Sequence, residues 1–130
     1  MRISRSAGYA LLAVSYIAQC DNKKVVLSQE ISRKYDIPLE YLLKILQQLV
    51  RANVLHSKRG PRGGYSLAKS SNKITILQII EAVDGPLVSQ MNLTELTRKE
   101  KFGLKADKLC EKATNKARAV FNQAKLSDLL

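Results

Sequence analysis

The chain has 130 residues, enough for one domain whose core buries roughly two thirds of the unfolded surface. Its 22 Lys and Arg against 11 Asp and Glu give a net charge of +11, which suits a polyanionic partner; the excess sits mainly in residues 1–70, with 12 basic and 4 acidic side chains, against 10 and 7 in 71–130. No apolar run nears the roughly 20 residues of a membrane span, and five Tyr, two Phe and no Trp are too sparse for a row of base-stacking rings, which favours duplex DNA over single-stranded nucleic acid.

Over residues 4–19, Ala7, Ala10, Leu11, Val14, Ile17 and Ala18 keep a helical period, and Leu12, Ala13 and Tyr16 widen the stripe. Such a helix is covered on two sides, by its own domain and a second subunit, or is simply buried in the monomer. The N-terminal apolar run is broken by Gly8, Ser15, Tyr16 and Gln19, which argues against a secretory signal and for a cytoplasmic, nucleoid-associated protein whose two cysteines, Cys20 and Cys110, stay reduced. Residues 21–24 read as a loop and 25–27 as a short strand.

Ser28 suits the N-cap of a helix running to about residue 35, with Glu30 in its positive first turn and Ile31 facing inward. Residues 36–37 form a turn, and Pro38 suits the first position of the next helix, where its missing N–H costs nothing. This is helix-turn-helix spacing. In the second helix Leu39, Leu42, Leu43, Leu46, Leu49 and Val50 form the inward face, leaving Glu40, Lys44, Gln47 or Gln48, and Arg51 outward. Those long polar side chains suit base-edge and phosphate contact, with the Tyr41 hydroxyl able to reach a phosphate; a solvated helix face is the alternative. Asn53 fits the left-handed cap that ends this helix.

Residues 54–55 and 65–67 alternate like strands around Lys58-Arg-Gly-Pro-Arg-Gly-Gly64, so a hairpin projects Lys58, Arg59 and Arg62. A thin basic tip can reach into a narrow minor groove, where negative potential concentrates. Beyond a polar loop at 69–73, Ile76, Ile79, Ile80 and Val83 have helical spacing, and Gly85-Pro86 ends that helix. Residues 89–105 are polar and lysine-rich. From Ala106 an apolar stripe of Leu109, Cys110, Ala113, Ala117, Val120, Phe121 and Ala124 marks a long helix. Its face pairs with the same helix of a second subunit, or packs back on its own domain.

Arg2, Tyr9, Ala10, Ile31, Ser32, Ile37, Tyr41, Leu42, Leu49, the block Lys58-Arg-Gly-Pro-Arg-Gly-Gly-Tyr65 and the block Ile79-Ile-Glu-Ala-Val-Asp-Gly85 resemble the Rrf-type winged-helix regulators that include IscR, NsrR and CymR. The resemblance implies a mainly α fold with a small β-hairpin wing (α+β), and a homodimeric transcription regulator, usually a repressor, that binds double-stranded DNA at a pseudo-palindromic operator. It implies a winged helix-turn-helix domain over 1–86, a sensor or linker region over 87–105 and a C-terminal dimerisation helix over 106–130. The predicted DNA-contacting set is Arg2, Ser28, Pro38, Leu39, Glu40, Tyr41, Lys44, Gln48, Arg51, Lys58, Arg59, Pro61, Arg62 and Gly63. Many relatives place Glu directly after the Tyr-Leu pair, where this chain has Leu43, so that residue's role is not carried over.

Cluster-bearing members hold iron and sulfur with three cysteines around the start of the last helix, of which only Cys110 is present here. One thiolate per subunit does not supply a cluster, so no cofactor and no metal is predicted. His56 reads as a surface or structural histidine. Cys110 is a redox or sensor candidate, with a buried inert cysteine as the alternative; a small molecule or protein partner is the other effector class. No carboxylate pair, nucleophile-base set or phosphate-cradling loop can be assembled, so an enzyme is not expected. The alternative function is a regulatory interaction module that binds a sulfur-metabolism enzyme.

Overall fold

The Ser4 hydroxyl accepts the Ala7 N–H at 3.1 Å and starts α1 (Arg5–Gln19), whose small residues Ala7, Ala10 and Ala13 are fully buried and let neighbouring helices approach closely. The computed structural model describes residues 2–20 and 25–130, so the loop expected at 21–24 lies outside the described residues. The chain then forms α2 (Ser28–Tyr35), α3 (Leu39–Arg51), the antiparallel hairpin β1 (Leu55–Lys58) and β2 (Gly64–Leu67), α4 (Ile76–Asp84), α5 (Leu93–Leu96) and α6 (Lys101–Gln123). Short 3-10 turns span Ser71–Lys73 and Leu126–Leu129. The fold is the expected one, mainly helical with a hairpin wing.

The turn between α2 and α3 is held from both sides. Asp36 adopts a left-handed conformation (φ 53°), Ile37 N–H donates to the Ser32 carbonyl at 3.0 Å, and the Ser32 hydroxyl donates to the Ile37 carbonyl at 2.6 Å. That crossed pair lets Ile37 drop into the core at 2% exposure. Two cap assignments shift by one residue. Leu27 rather than Ser28 caps α2, with Ser28 buried in the first turn and its hydroxyl on the Gln29 side chain; Pro38 is the N-cap of α3, and the first helical residue is Leu39. In place of a strand over 25–27, Val26 alone bridges Tyr65, with reciprocal hydrogen bonds of 2.8 Å.

Helix α3 ends as expected at Asn53, whose φ is 61°. The Asn53 N–H bonds the Val50 carbonyl and the Val54 N–H reaches back to the Leu49 carbonyl, both at 3.0 Å, the paired closure of a Schellman cap. This sharp exit puts Val54 and Leu55 in the core and starts β1. A reciprocal capping box between Thr75 and Gln78 begins α4.

The core gathers α1, Ile31, Ile37, α3, Val54, Leu55, Ile74 and α4. Leu126, at 0% exposure, belongs to it. The C-terminal segment therefore differs from the expected helix over 106–130: α6 begins at Lys101 and stops at Gln123, and the chain turns back so that Thr75 and Lys125 bridge and Leu126 N–H bonds the Ile74 carbonyl at 2.8 Å. In α6 itself only Gly103 is buried, and Phe102, Leu109 and Val120 are each about two thirds exposed or more, at 71%, 68% and 65%. The polar stretch before it is built into the fold: the Asp107 carboxylate accepts the Leu93 and Thr94 N–H groups and the Thr94 hydroxyl, pinning α5 to α6.

Candidate nucleic-acid interface

Helix α3 and the hairpin wing stand side by side, and a groove of about 490 Å³ runs between them, lined by Leu43, Gln47 and Arg51 from α3 and by Ser57, Lys58 and Arg59 from the wing. The inward face of α3 consists of Leu42, Ile45, Leu46 and Leu49. That is rotated from the expected one: Ile45 replaces Leu39 and Leu43, both of which are exposed. With the rotation, the outward stripe becomes Glu40, Leu43, Lys44, Gln47 and Arg51. Gln48 is half-buried, so of the two glutamines it is Gln47 that faces the groove.

The wing owes its shape to two glycines. Strand register pairs Leu55 with Leu67 and Lys58 with Gly64, and the Gly63 N–H closes the tip on the Gly60 carbonyl at 2.9 Å. A Cβ at Gly63 would lie 2.2 Å from the Lys58 carbonyl oxygen, and one at Gly64 would lie 2.7 Å from that of Val26. Gly63 is thus buried in the turn rather than offered to a ligand. Lys58, Arg59, Pro61 and Arg62 are exposed, and among the described residues none of these cations has an ion-pair partner, the one ion pair being Arg118 with Glu81.

Several expected contacts sit elsewhere. The Tyr41 hydroxyl pairs with Ser6 of α1, and its ring meets Tyr9 edge to face at 5.7 Å, so Tyr41 ties α3 to α1, with about a third of its surface left open. Pro38, Leu39, Glu40 and Lys44 are exposed along the start of α3. Buried Ser28 has no open face for a ligand. Arg2 lies away from the groove, lining a second cavity of about 590 Å³ with Asp84, Leu87, Met91, Cys110 and Thr114. Missed from the sequence were Leu43 and Ser57, while Gln47 was left as one of two choices with Gln48; including Ile45 in the inward face would have settled that choice and turned Leu43 outward.

The second cavity adjoins a network joining α4 to α6. Ser4 donates through its N–H at 3.1 Å and through its hydroxyl to Asp84; Glu81 accepts the Leu87 N–H at 2.6 Å and pairs with Arg118. Cys20 and Cys110 are free and half-buried.

The sequence profile of the Rrf2 family, described as iron-dependent transcriptional regulators, matches residues 3–130. The chain belongs to the Rrf2 family. IscR of Cereibacter sphaeroides, an HTH-type transcriptional regulator, is 36% identical over 86 residues, which cover 65% of this chain and 56% of that protein; the chain spans about half the length of the curated relatives it matches. The fold is shared with CymR, the global cysteine regulator of B. subtilis (TM-score 0.78, 24% identity, 99% of this chain and 95% of that one), and with T. potens IscR (TM-score 0.72, 23% identity, 99% and 85%). An iron centre, as the description of this Rrf2 family invites, does not fit the described residues. Cys110 shares its cavity with Asp84 and Met91 but with no second thiol or imidazole, and the described residues hold no group of three or more His, Cys, Asp or Glu side chains placed for a metal.

Proposed function

We propose that this Rrf2-family chain is a homodimeric, sequence-specific duplex-binding regulator, acting as a repressor, that works without an iron-sulfur cluster. Its support is the juxtaposition of a groove-sized helix with a basic wing: Arg51, Lys58 and Arg59 line one groove, Arg62 is exposed at the wing tip, and none forms an ion pair among the described residues. Helix α3 enters the major groove and the wing tip enters the adjacent minor groove, where arginine is favoured by the concentrated negative potential. Such a protein works in the cytoplasm, on the nucleoid. No helix among the described residues is long and apolar enough to cross a membrane.

In this reading residues 1–86 bind DNA, 87–105 link and sense, and 106–130 carry dimerisation. Phe102, Leu109 and Val120 leave α6 with an apolar face its own chain does not cover, and a second copy is the economical cover. The effector, a small molecule or a protein, acts at the cavity containing Cys110 and Arg2, which touches both α6 and the end of α4.

The test is fluorescence anisotropy on duplex DNA across a salt series. Arg59→Ala is expected to weaken binding, and if Arg59 contacts a phosphate the slope of log K against log salt shrinks by about 0.9. A variant that binds as the parent does at every salt concentration contradicts the placement of the wing.

A further inference from the structure

Leu43 stands out on the surface of α3. The core is closed by Leu42, Ile45, Leu46 and Leu49, so Leu43 is not needed inward, and it stays 39% exposed in the outward stripe. One turn further on, Gln47 shares its line, and both open into the groove beside the wing. The groove's lining is cationic, with Arg51, Lys58 and Arg59 around them, and Lys44 is exposed next to Leu43 on the same helix. That charge suits phosphates on either side of an edge that offers something apolar and something that pairs with an amide.

The duplex major groove presents one methyl group, at C5 of thymine, and an adenine edge whose N7 acceptor and N6 donor match a carboxamide. We propose that Leu43 and Gln47 are a sequence-reading pair, Leu43 packing on a thymine methyl and the Gln47 amide bonding an adenine edge. The inference rests on the duplex-binding reading above and deepens it. Four helical residues separate the two by about 6 Å of rise, close to two base-pair steps of about 3.4 Å each. Each half-site therefore carries a thymine and an adenine within about two steps of each other. Gln47 also discriminates more sharply than Leu43, because an amide facing the wrong edge leaves polar groups unpaired.

The experiment begins with a duplex enriched from a random pool by the full-length chain and reads anisotropy on single-atom variants of it. Replacing thymine by 2′-deoxyuridine removes the methyl and leaves the hydrogen-bonding pattern unchanged; 7-deazaadenine removes the N7 acceptor. At one position in each half-site, deoxyuridine is expected to weaken parent binding about three- to fivefold, and deazaadenine about fivefold or more at a position within two steps. Leu43→Ala loses the deoxyuridine sensitivity alone, and Gln47→Ala the deazaadenine sensitivity alone. Parent binding indifferent to every deoxyuridine, or a Leu43→Ala variant as sensitive as the parent, overturns the pair while leaving duplex recognition standing. A pool that yields no enriched sequence overturns both. Because the decisive measurement uses the unaltered protein, it does not depend on how well the variants fold.

Discussion

At the scale of single residues, the wing depends on side chains that are absent. Gly63 has no room for a methyl group 2.2 Å from the Lys58 carbonyl oxygen, so Gly63→Ala must displace the backbone that carries Arg59 and Arg62. A thermal melt is expected to register a loss of about 1–3 kcal/mol, the usual range for forcing a methylene into a filled space, with weaker duplex binding alongside. Asp107 holds a different joint. The Thr94 hydroxyl and then the Thr94 amide keep its carboxyl below the ordinary range against the opposing effect of desolvation, with the Leu93 amide adding the smallest contribution. A lowered folded value means that the tie is fully present above the unfolded value near 3.9 and is lost only as pH falls through the lower folded one. The Thr94 amide shift should therefore titrate with its midpoint below about 3.9; a midpoint at or above it contradicts the contact. Arg59, Arg62 and the glycines around them were legible in the sequence because turn chemistry is local. The partner of Tyr41 was not, since Ser6 lies 35 residues away and no spacing rule connects them.

At the scale of elements, the sequence located α1, the helix-turn-helix and the hairpin, and erred where burial rather than periodicity decides. Helix α3 has apolar residues at Leu39, Leu42, Leu43, Ile45, Leu46, Leu49 and Val50, an arc wider than the core can cover. Which part is covered depends on where α1 and α4 stand, and they choose Ile45 over Leu43. A similar limit affected the C-terminus. Periodicity cannot show that the chain leaves α6 at Gln123 and returns Leu126 to the core beside Ile74. Leu126→Ala is accordingly expected to cost about 2–5 kcal/mol in denaturant unfolding, as other Leu truncations in filled cores do, although it lies four residues from the end of the sequence. A change below about 0.5 kcal/mol, the ordinary surface value, would show that this segment does not pack as described.

Across the whole molecule, the α3–wing surface proposed to bind the duplex and α6 are joined rather than separate. Ser4 caps α1 and holds Asp84 at the end of α4, while Glu81 on the same helix grips Arg118 of α6. A shift of α6 thus has a route through α4 to α1, and through the Ser6–Tyr41 pair to α3. The cavity at Cys110 adjoins that route. Pairing two copies through the open face of α6 would present two α3–wing units related by a two-fold axis, with half-sites about 34 Å apart or a multiple of it. The overall class was readable early, from the helix-turn-helix spacing and the glycine-bent basic hairpin beside it. The decisive experiment is selection of binding sites from a random duplex pool by the purified chain. Enrichment of an inverted repeat with that spacing is the expected result, and a pool that emerges unenriched, or that yields an isolated half-site with no symmetric partner, would refute two-fold duplex recognition.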